Sequence, residues 1–447
     1  MIAVVPSSGF EDWFDSFAKR RSLEDPSVRQ RVSEILADVR LRGDKAVLDW
    51  SRRLDGASLE NTRLRVAASE LRLAGRRKHG DLFEALERAA SNIRRFHQRQ
   101  KQRTFRTSVR GVILGQRVDP LRRVGLYVPG GKAAYPSSIL MNAIPAQVAG
   151  VREIAVASPP GSFQNPGVLA ALEVLGLKEC YRMGGAQAIG ALAYGTAGVP
   201  AVDKIVGPGN AFVAEAKRQV FGTVGVDLIA GPTEIVIWAD KNARVDFVAA
   251  DLLAQAEHDE QAAAICVTTS ARLASDLQRS LERQIRTLGR RAIIEASLKR
   301  FGAVLLARSR GEAIAWINRI APEHLELMTS EADPWKSDLR AGAIFVGPYT
   351  PEPIGDYFAG PNHVLPTGGT ARFASPLGVS DFQKKTSVLR YSRKRLLEDA
   401  RWVEILAAAE GLDAHARAVT IRGVRGQGSG NRGQASAVRG QGRGRAR

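Results

Sequence analysis

Gln255 and His258 stand three residues apart in the run Asp251-Leu-Leu-Ala-Gln-Ala-Glu-His-Asp259. Side chains at that spacing leave the same side of a helix. An amide oxygen and an imidazole so placed can share one metal ion, as in helix-borne metal sites. By itself the pair is weak evidence, because a lone His near a helix end more often caps the helix or sits on the surface. Four of the six histidines lie in the later part of the chain, each beside acids or turn residues: His258, His324, His363 and His415. His324 follows Glu323 after Pro322, His363 lies seven residues beyond Asp356, and His415 lies five beyond Glu410. Each can be structural alone; together they supply zinc-type nitrogen and oxygen ligands and acid–base groups.

Elements must bring these groups together. Val245, Val248, Ala249, Leu252 and Leu253 recur at helical spacing, so Gln255 and His258 sit near the end of an amphipathic helix. Val124-Gly-Leu-Tyr-Val, Ile154-Ala-Val-Ala, a short run near Cys180 and Lys204-Ile-Val read as strands alternating with helices. Ile235-Val-Ile-Trp, Ala264-Ile-Cys-Val, Ala303-Val-Leu-Leu and Ala343-Ile-Phe-Val give a second such set. Alternation of this kind predicts open parallel sheets flanked by helices. Glycine-rich turns at 129–131, 184–185 and 207–209 join strands to helices, where backbone N–H groups can meet phosphates or simply turn tightly. Helices are also predicted over 26–55, with Pro26 in the first turn and Gly43 ending a run, and over roughly 80–100. His79 and His97 receive no chemistry. One helical segment is expected from about Asp399 to Ala416. It is too short for its own core, so it must pack on something larger.

Composition bounds the rest. The chain has 447 residues, 44% apolar and 25% charged, as an ordinary globular protein does. No apolar run approaches a membrane span, and the N-terminus lacks the pattern of a secretory signal. Cys180 and Cys266 cannot form a disulfide framework and read as buried, inert thiols, which together points to the cytoplasm. The net charge is +19, but seven Arg and no acid fall within 422–447, leaving +12 on the remaining chain. Without interleaved aromatics or a nucleic-acid module, a basic surface is the preferred reading over nucleic-acid binding. The Gly- and Arg-rich tail reads as disordered. Its Gly428-Ser-Gly430-Asn-Arg-Gly433 matches a dinucleotide fingerprint in letters only, because no strand precedes it.

The chain resembles histidinol dehydrogenases over about residues 1–420. The resemblance rests on Val-Pro-Gly-Gly at 128–131, Gly-Gly-Ala-Gln-Ala-Ile at 184–189, Val-Gly-Pro-Gly-Asn at 206–210 and Ala-Gly-Pro-Thr-Glu at 230–234. It continues through Gln-Ala-Glu-His-Asp at 255–259, Pro-Glu-His-Leu-Glu at 322–326, the 355–373 block and Glu-Gly-Leu-Asp-Ala-His at 410–415. The resemblance implies an α/β fold of two incomplete Rossmann-like domains in an intertwined homodimer. It implies oxidation of L-histidinol to L-histidine with two NAD⁺, the last step of histidine biosynthesis. Carried over by position, the zinc ligands are Gln255, His258, Asp356 and His415, and the catalytic pair is Glu323 and His324. Thr233 and Glu410 join Gln255, His258, His324, Asp356 and His415 as substrate contacts. Tyr127, Gln187 and Asn210 contact NAD⁺. Thr233 departs from the family's usual Ser; the hydroxyl is kept and a methyl added. The tail has no counterpart.

The implied organisation is an N-terminal segment 1–25, a part made of 26–123 and 234–378 with metal ligands and catalytic pair, and an NAD-binding part 124–233. A helical dimerisation segment 379–421 and the tail 422–447 complete it. The neighbouring readings are a same-fold dehydrogenase of another polar alcohol or diol and, from a different class, a nucleic-acid binder acting through the tail. The carbinol hydroxyl proton is expected to go to His324, and the water that hydrates the aldehyde to be activated by Glu323.

Overall fold

A computed structural model describes residues 2–20, 25–55, 64–71, 80–130, 135–329, 333, 335 and 338–423. His79, Gly131 and the glycines at 428–433 lie outside these, as does the tail from 424. The chain divides into two compact units, one made of 1–102 and 119–384 and the other of 103–118 and 385–447.

The first unit contains two parallel sheets. Five strands run in the order Glu179–Arg182, Glu153–Ser158, Arg123–Tyr127, Lys204–Val206, Gly225–Val226. In chain order this is 3-2-1-4-5, the doubly wound pattern, which reverses between Arg123–Tyr127 and Lys204–Val206. Six strands form the larger sheet: Ala3–Pro6, Ala303–Leu306, Ala263–Thr268, Glu234–Ala239, His324–Met328, Ala343–Val346. All its pairings are parallel, and past the edge strand Ala3–Pro6 it repeats the same order. Strands covered on both faces need apolar residues at every position. Residues 154–157 and 263–267 meet that demand, and this is why their sequences announce them.

The covering helices depart from the expected partition. Val32, Ile35, Leu36 and Val39 of helix Pro26–Arg42 share a core with Ile189, Leu192 and Ile205 of the five-stranded part. Phe83, Leu86 and Ile93 of helix Gly80–Gln98 pack with Ile139, Leu140 and Leu172 on its other side. These segments, assigned above to the part with 234–378, cover the 124–233 sheet instead. Nor is 1–25 a separate segment: Ala3–Pro6 extends the larger sheet, and Phe10 stacks on Trp316 at 4.3 Å. Helical spacing identifies the buried stripe and leaves its partner open.

The second unit holds the hairpin of Phe105–Val109 and Val112–Pro120, antiparallel and turning on Arg110 and Gly111, both at positive φ. A two-residue turn of that kind matches strand twist. Gln383–Tyr391 pairs alongside Val112–Pro120. The helical segment expected over about 399–416 is present as two helices, Arg393–Ala409 and Asp413–Thr420. Ser392 caps the first at 3.2 Å, and Gly411 at φ +69° breaks the pair. Ala407 is the single buried residue of the two helices. No helix among the described residues is long and apolar enough to cross a membrane.

Candidate active site

The site grows from the amino ends of two neighbouring strands of the larger sheet. His324 pairs in register with Ile235, so the residues just before, Glu323 and Glu234, lie side by side. Glu323 Oε2 accepts from the Glu234 amide at 3.1 Å and from Thr233 Oγ1 at 2.5 Å. Gln255 Nε2 in turn donates to Thr233 Oγ1 at 2.9 Å. Helix Val245–Ala256 runs back along the sheet, so its last turn brings Gln255 to the same end. The extra methyl of Thr233 has not cost the hydroxyl its bonds. Arg20, from the N-terminal helix, backs this row by donating to the Thr233 carbonyl and pairing with Glu234.

Glu323 and His324 are both buried. Burial pushes the Glu323 carboxyl up to about 7, although its two hydrogen bonds oppose the rise. Burial holds the His324 imidazole below its ordinary range, with Asp356 pulling the other way. Neither ring nitrogen of His324 makes a short hydrogen bond, although the Glu234 backbone lies near enough to favour its charged form. Nδ1 stands 3.8 Å from Glu323 Oε2, and Nε2 stands 3.9 Å from both Glu352 Oε1 and Asp356 Oδ1. A buried imidazole with no short hydrogen bond and acids on either side is poised to accept a proton rather than to brace the fold.

His258, Glu352 and Asp356 each offer a ligand atom within 4.8 Å of the others. Gln255 points a buried, unpartnered Oε1 from the neighbouring turn. Three of the four expected metal ligands are thus held in this unit, with Glu352 beside them. Sequence reasoning missed Glu352. It lies one helical turn before Asp356 on Glu352–Tyr357, a spacing readable in advance but masked by Pro353 and Gly355. His363, left without a role above, has Nδ1 at 2.9 Å from the Asp356 carbonyl and 3.9 Å from its carboxylate. Glu410 and His415 belong to the second unit, where both are exposed.

The expected NAD⁺ contacts gather at the other sheet. Tyr127 ends its strand and Asn210 follows the next one, so both stand at the carboxyl-end crevice where strand order reverses. With Gln187 they line a cleft of about 1150 Å³. Tyr127 Oη accepts from the Gly185 amide at 3.1 Å, and Asn210 caps helix Ala211–Val220 through Val213 N. Gln187 Nε2 donates to Asp55 at 3.4 Å and leaves a buried Oε1 unpartnered. Gly207, at φ +111°, is required because a Cβ there would run into the Tyr127 carbonyl. Trp50, Arg53 and Asp55 also line the cleft; they come from helices given no site role in the sequence reading. The thiols of Cys180 and Cys266 are buried and pushed up to about 12 by that burial, as expected of inert cysteines.

Residues 18–423 match the family model described as histidinol dehydrogenase. The chain belongs to the histidinol dehydrogenase family. It is 52% identical over 415 residues to the histidinol dehydrogenase of Halalkalibacterium halodurans, covering 91% of this chain and 97% of that one. The Geobacillus kaustophilus histidinol dehydrogenase is 51% identical over 414 residues, at 91% and 97% coverage. Among solved structures, histidinol dehydrogenase from Elizabethkingia anophelis superposes with a TM-score of 0.84 at 35% identity, covering 89% of this chain and 92% of that one. Membership makes the chain an oxidoreductase of histidine biosynthesis.

Proposed function

We propose that the chain oxidises L-histidinol to L-histidine in two successive hydride transfers to NAD⁺, with a zinc ion and residues from two copies of the chain. The observation that carries this reading is the buried His324 set between Glu323 and the His258–Glu352–Asp356 cluster.

The residues fit zinc. An imidazole and two carboxylates converge, and the orphaned amide oxygen of Gln255 sits one helical turn before that imidazole, which is a borderline-soft nitrogen and oxygen set. Bound there, zinc supplies a template for the substrate's amine and imidazole nitrogens. Gln255, His258 and Asp356 would hold it, joined by His415. The large cleft at the reversal point of the five-stranded sheet fits a dinucleotide, with Tyr127, Gln187 and Asn210 on its wall. A cofactor there supplies the acceptor for hydride.

His324 takes the hydroxyl proton as the carbinol C–H bond loses hydride, leaving an aldehyde. Glu323, as carboxylate, removes a proton from water as its oxygen adds to the aldehyde carbon. His324 then takes a hydroxyl proton of the hydrate as the second hydride leaves, giving the carboxylate. The first half releases one hydride and one proton, to His324; the second, which ends on the carboxylate, releases one hydride and two protons, one to Glu323 from the water and one to His324 from the hydrate anion. Because the Glu323 carboxyl titrates near 7, aldehyde oxidation is expected to rise with pH through about 7 and then level off. The sign follows from its role: protonation at lower pH removes the base. Glu323→Gln should abolish that rising limb when histidinal is the substrate; a limb that survives removes Glu323 from the water-activating role.

The partnership of two copies is supported by the second unit. Leu389, Trp402 and Leu406 are 60–67% exposed there, and two helices that bury one alanine lack a core. In the proposed homodimer this unit delivers His415 to the metal and Glu410 to the substrate imidazole of the other copy.

Zinc is tested by composition. Purified protein is expected to carry about one zinc per chain, to lose it with its activity on chelation, and to regain both with Zn²⁺. His258→Ala protein should be isolated largely metal-free. Full turnover by metal-free protein would contradict the reading.

A further inference from the structure

Glu326 and Asp251 are buried carboxyls with no place in the scheme above. Glu326 lies two residues beyond His324 on the same strand, so both side chains leave one face of the sheet. Its Oε1 accepts the backbone N–H of Glu352 at 2.7 Å. Glu352 opens the six-residue helix that ends on Asp356 and Tyr357, and Pro351 before it provides no side-chain cap. That helix start therefore relies on Glu326. The other oxygen, Oε2, meets no protein N–H or O–H donor. The Asp251 side chain is hydrogen-bonded to the Glu326 side chain, which requires a proton on one of the two. Asp251 lies one turn before Gln255 on the helix that leads to His258.

Two touching buried carboxyls do not both stay ionised, so a proton resides between them.

We infer that Asp251 and Glu326 form a hydrogen-bonded brace that fixes three elements against one another: the Gln255–His258 helix, the Glu323–His324 strand and the Glu352–Asp356 helix. Glu326 is a positioning residue, outside the proposed metal-ligand and catalytic sets. The inference rests on the zinc reading for its functional consequence and on geometry alone for the brace. Residues that orient metal ligands from behind typically contribute about tenfold to a hundredfold in affinity or activity.

The test compares Glu326→Leu with Glu326→Gln in the full chain. Leucine removes both bonds. Glutamine keeps the acceptor for Glu352 N–H and offers an amide N–H to Asp251. Two readouts are taken: hydrogen exchange of the 352–357 amides, and the Kd for Zn²⁺ by competition with a chelating dye. Leucine is expected to speed exchange in that helix and to raise the zinc Kd about tenfold to a hundredfold, while glutamine stays close to wild type in both. Should the leucine variant be insoluble, Asp251→Ala cuts the brace at its other end and is expected to weaken zinc binding likewise. The brace is overturned if leucine leaves exchange unchanged, or if glutamine is as impaired as leucine. A wild-type protein that takes up no zinc defeats the zinc reading instead, and the exchange result still decides the brace.

Discussion

His324→Ala is expected to lower NADH formation from L-histidinol by about a hundredfold to ten-thousandfold, the range typical for loss of a general base. The expectation rests on the ring's setting. It is buried, neither nitrogen makes a short hydrogen bond, and acids stand within 4 Å of each. Burial holds the imidazole below its ordinary value, so the neutral, proton-accepting form prevails at neutral pH. The same loss is expected with histidinal supplied as substrate, because His324 serves both hydride transfers. Zinc content should be retained, since His324 is not among the proposed ligands. If the alanine variant oxidises histidinal at the wild-type rate, the base acts in the first step alone. If it loses zinc, His324 supports the metal rather than the chemistry.

Mixing two inactive variants, His258→Ala and His415→Ala, should restore about a quarter of wild-type activity. His258 lies in the first unit and His415 in the second. If each site takes its His415 from the other copy, a mixed dimer has one site with both histidines and one with neither. Random exchange makes half of the dimers mixed, so a quarter of all sites are complete. Each variant alone should be near inactive, since a zinc ligand is missing from every site. The mixture is incubated under conditions where tagged copies are seen to exchange, and NADH formation is followed. Exchange without recovered activity would show that each site is built from one chain.

Both sheets were largely readable because their strands are short apolar runs broken by glycine and proline. His324–Met328 escaped because its sequence, His-Leu-Glu-Leu-Met, alternates polar and apolar residues as a half-exposed strand does. It is buried throughout; its polar positions face the site and the acid brace. Ala3–Pro6 escaped because its partner, Ala303–Leu306, lies some 300 residues away, and four residues at a chain start carry little pattern. Gln383–Tyr391 is rich in Lys and Arg and mostly exposed, so no apolar alternation marks it. His258, Asp356 and the Glu323–His324 pair were legible as types and by resemblance. Glu352, Glu326 and Asp251 were not, because their roles depend on which elements meet, and spacing within one element does not encode that.

The central claim is a four-electron oxidation with the aldehyde kept at the site. The most direct measurement counts NADH formed per L-histidinol consumed, under excess NAD⁺, with the products separated at the end. Two NADH per substrate, L-histidine as the product and no free histidinal are predicted. One NADH per substrate with histidinal released, or faster turnover of an alcohol that lacks the imidazole, would contradict the account.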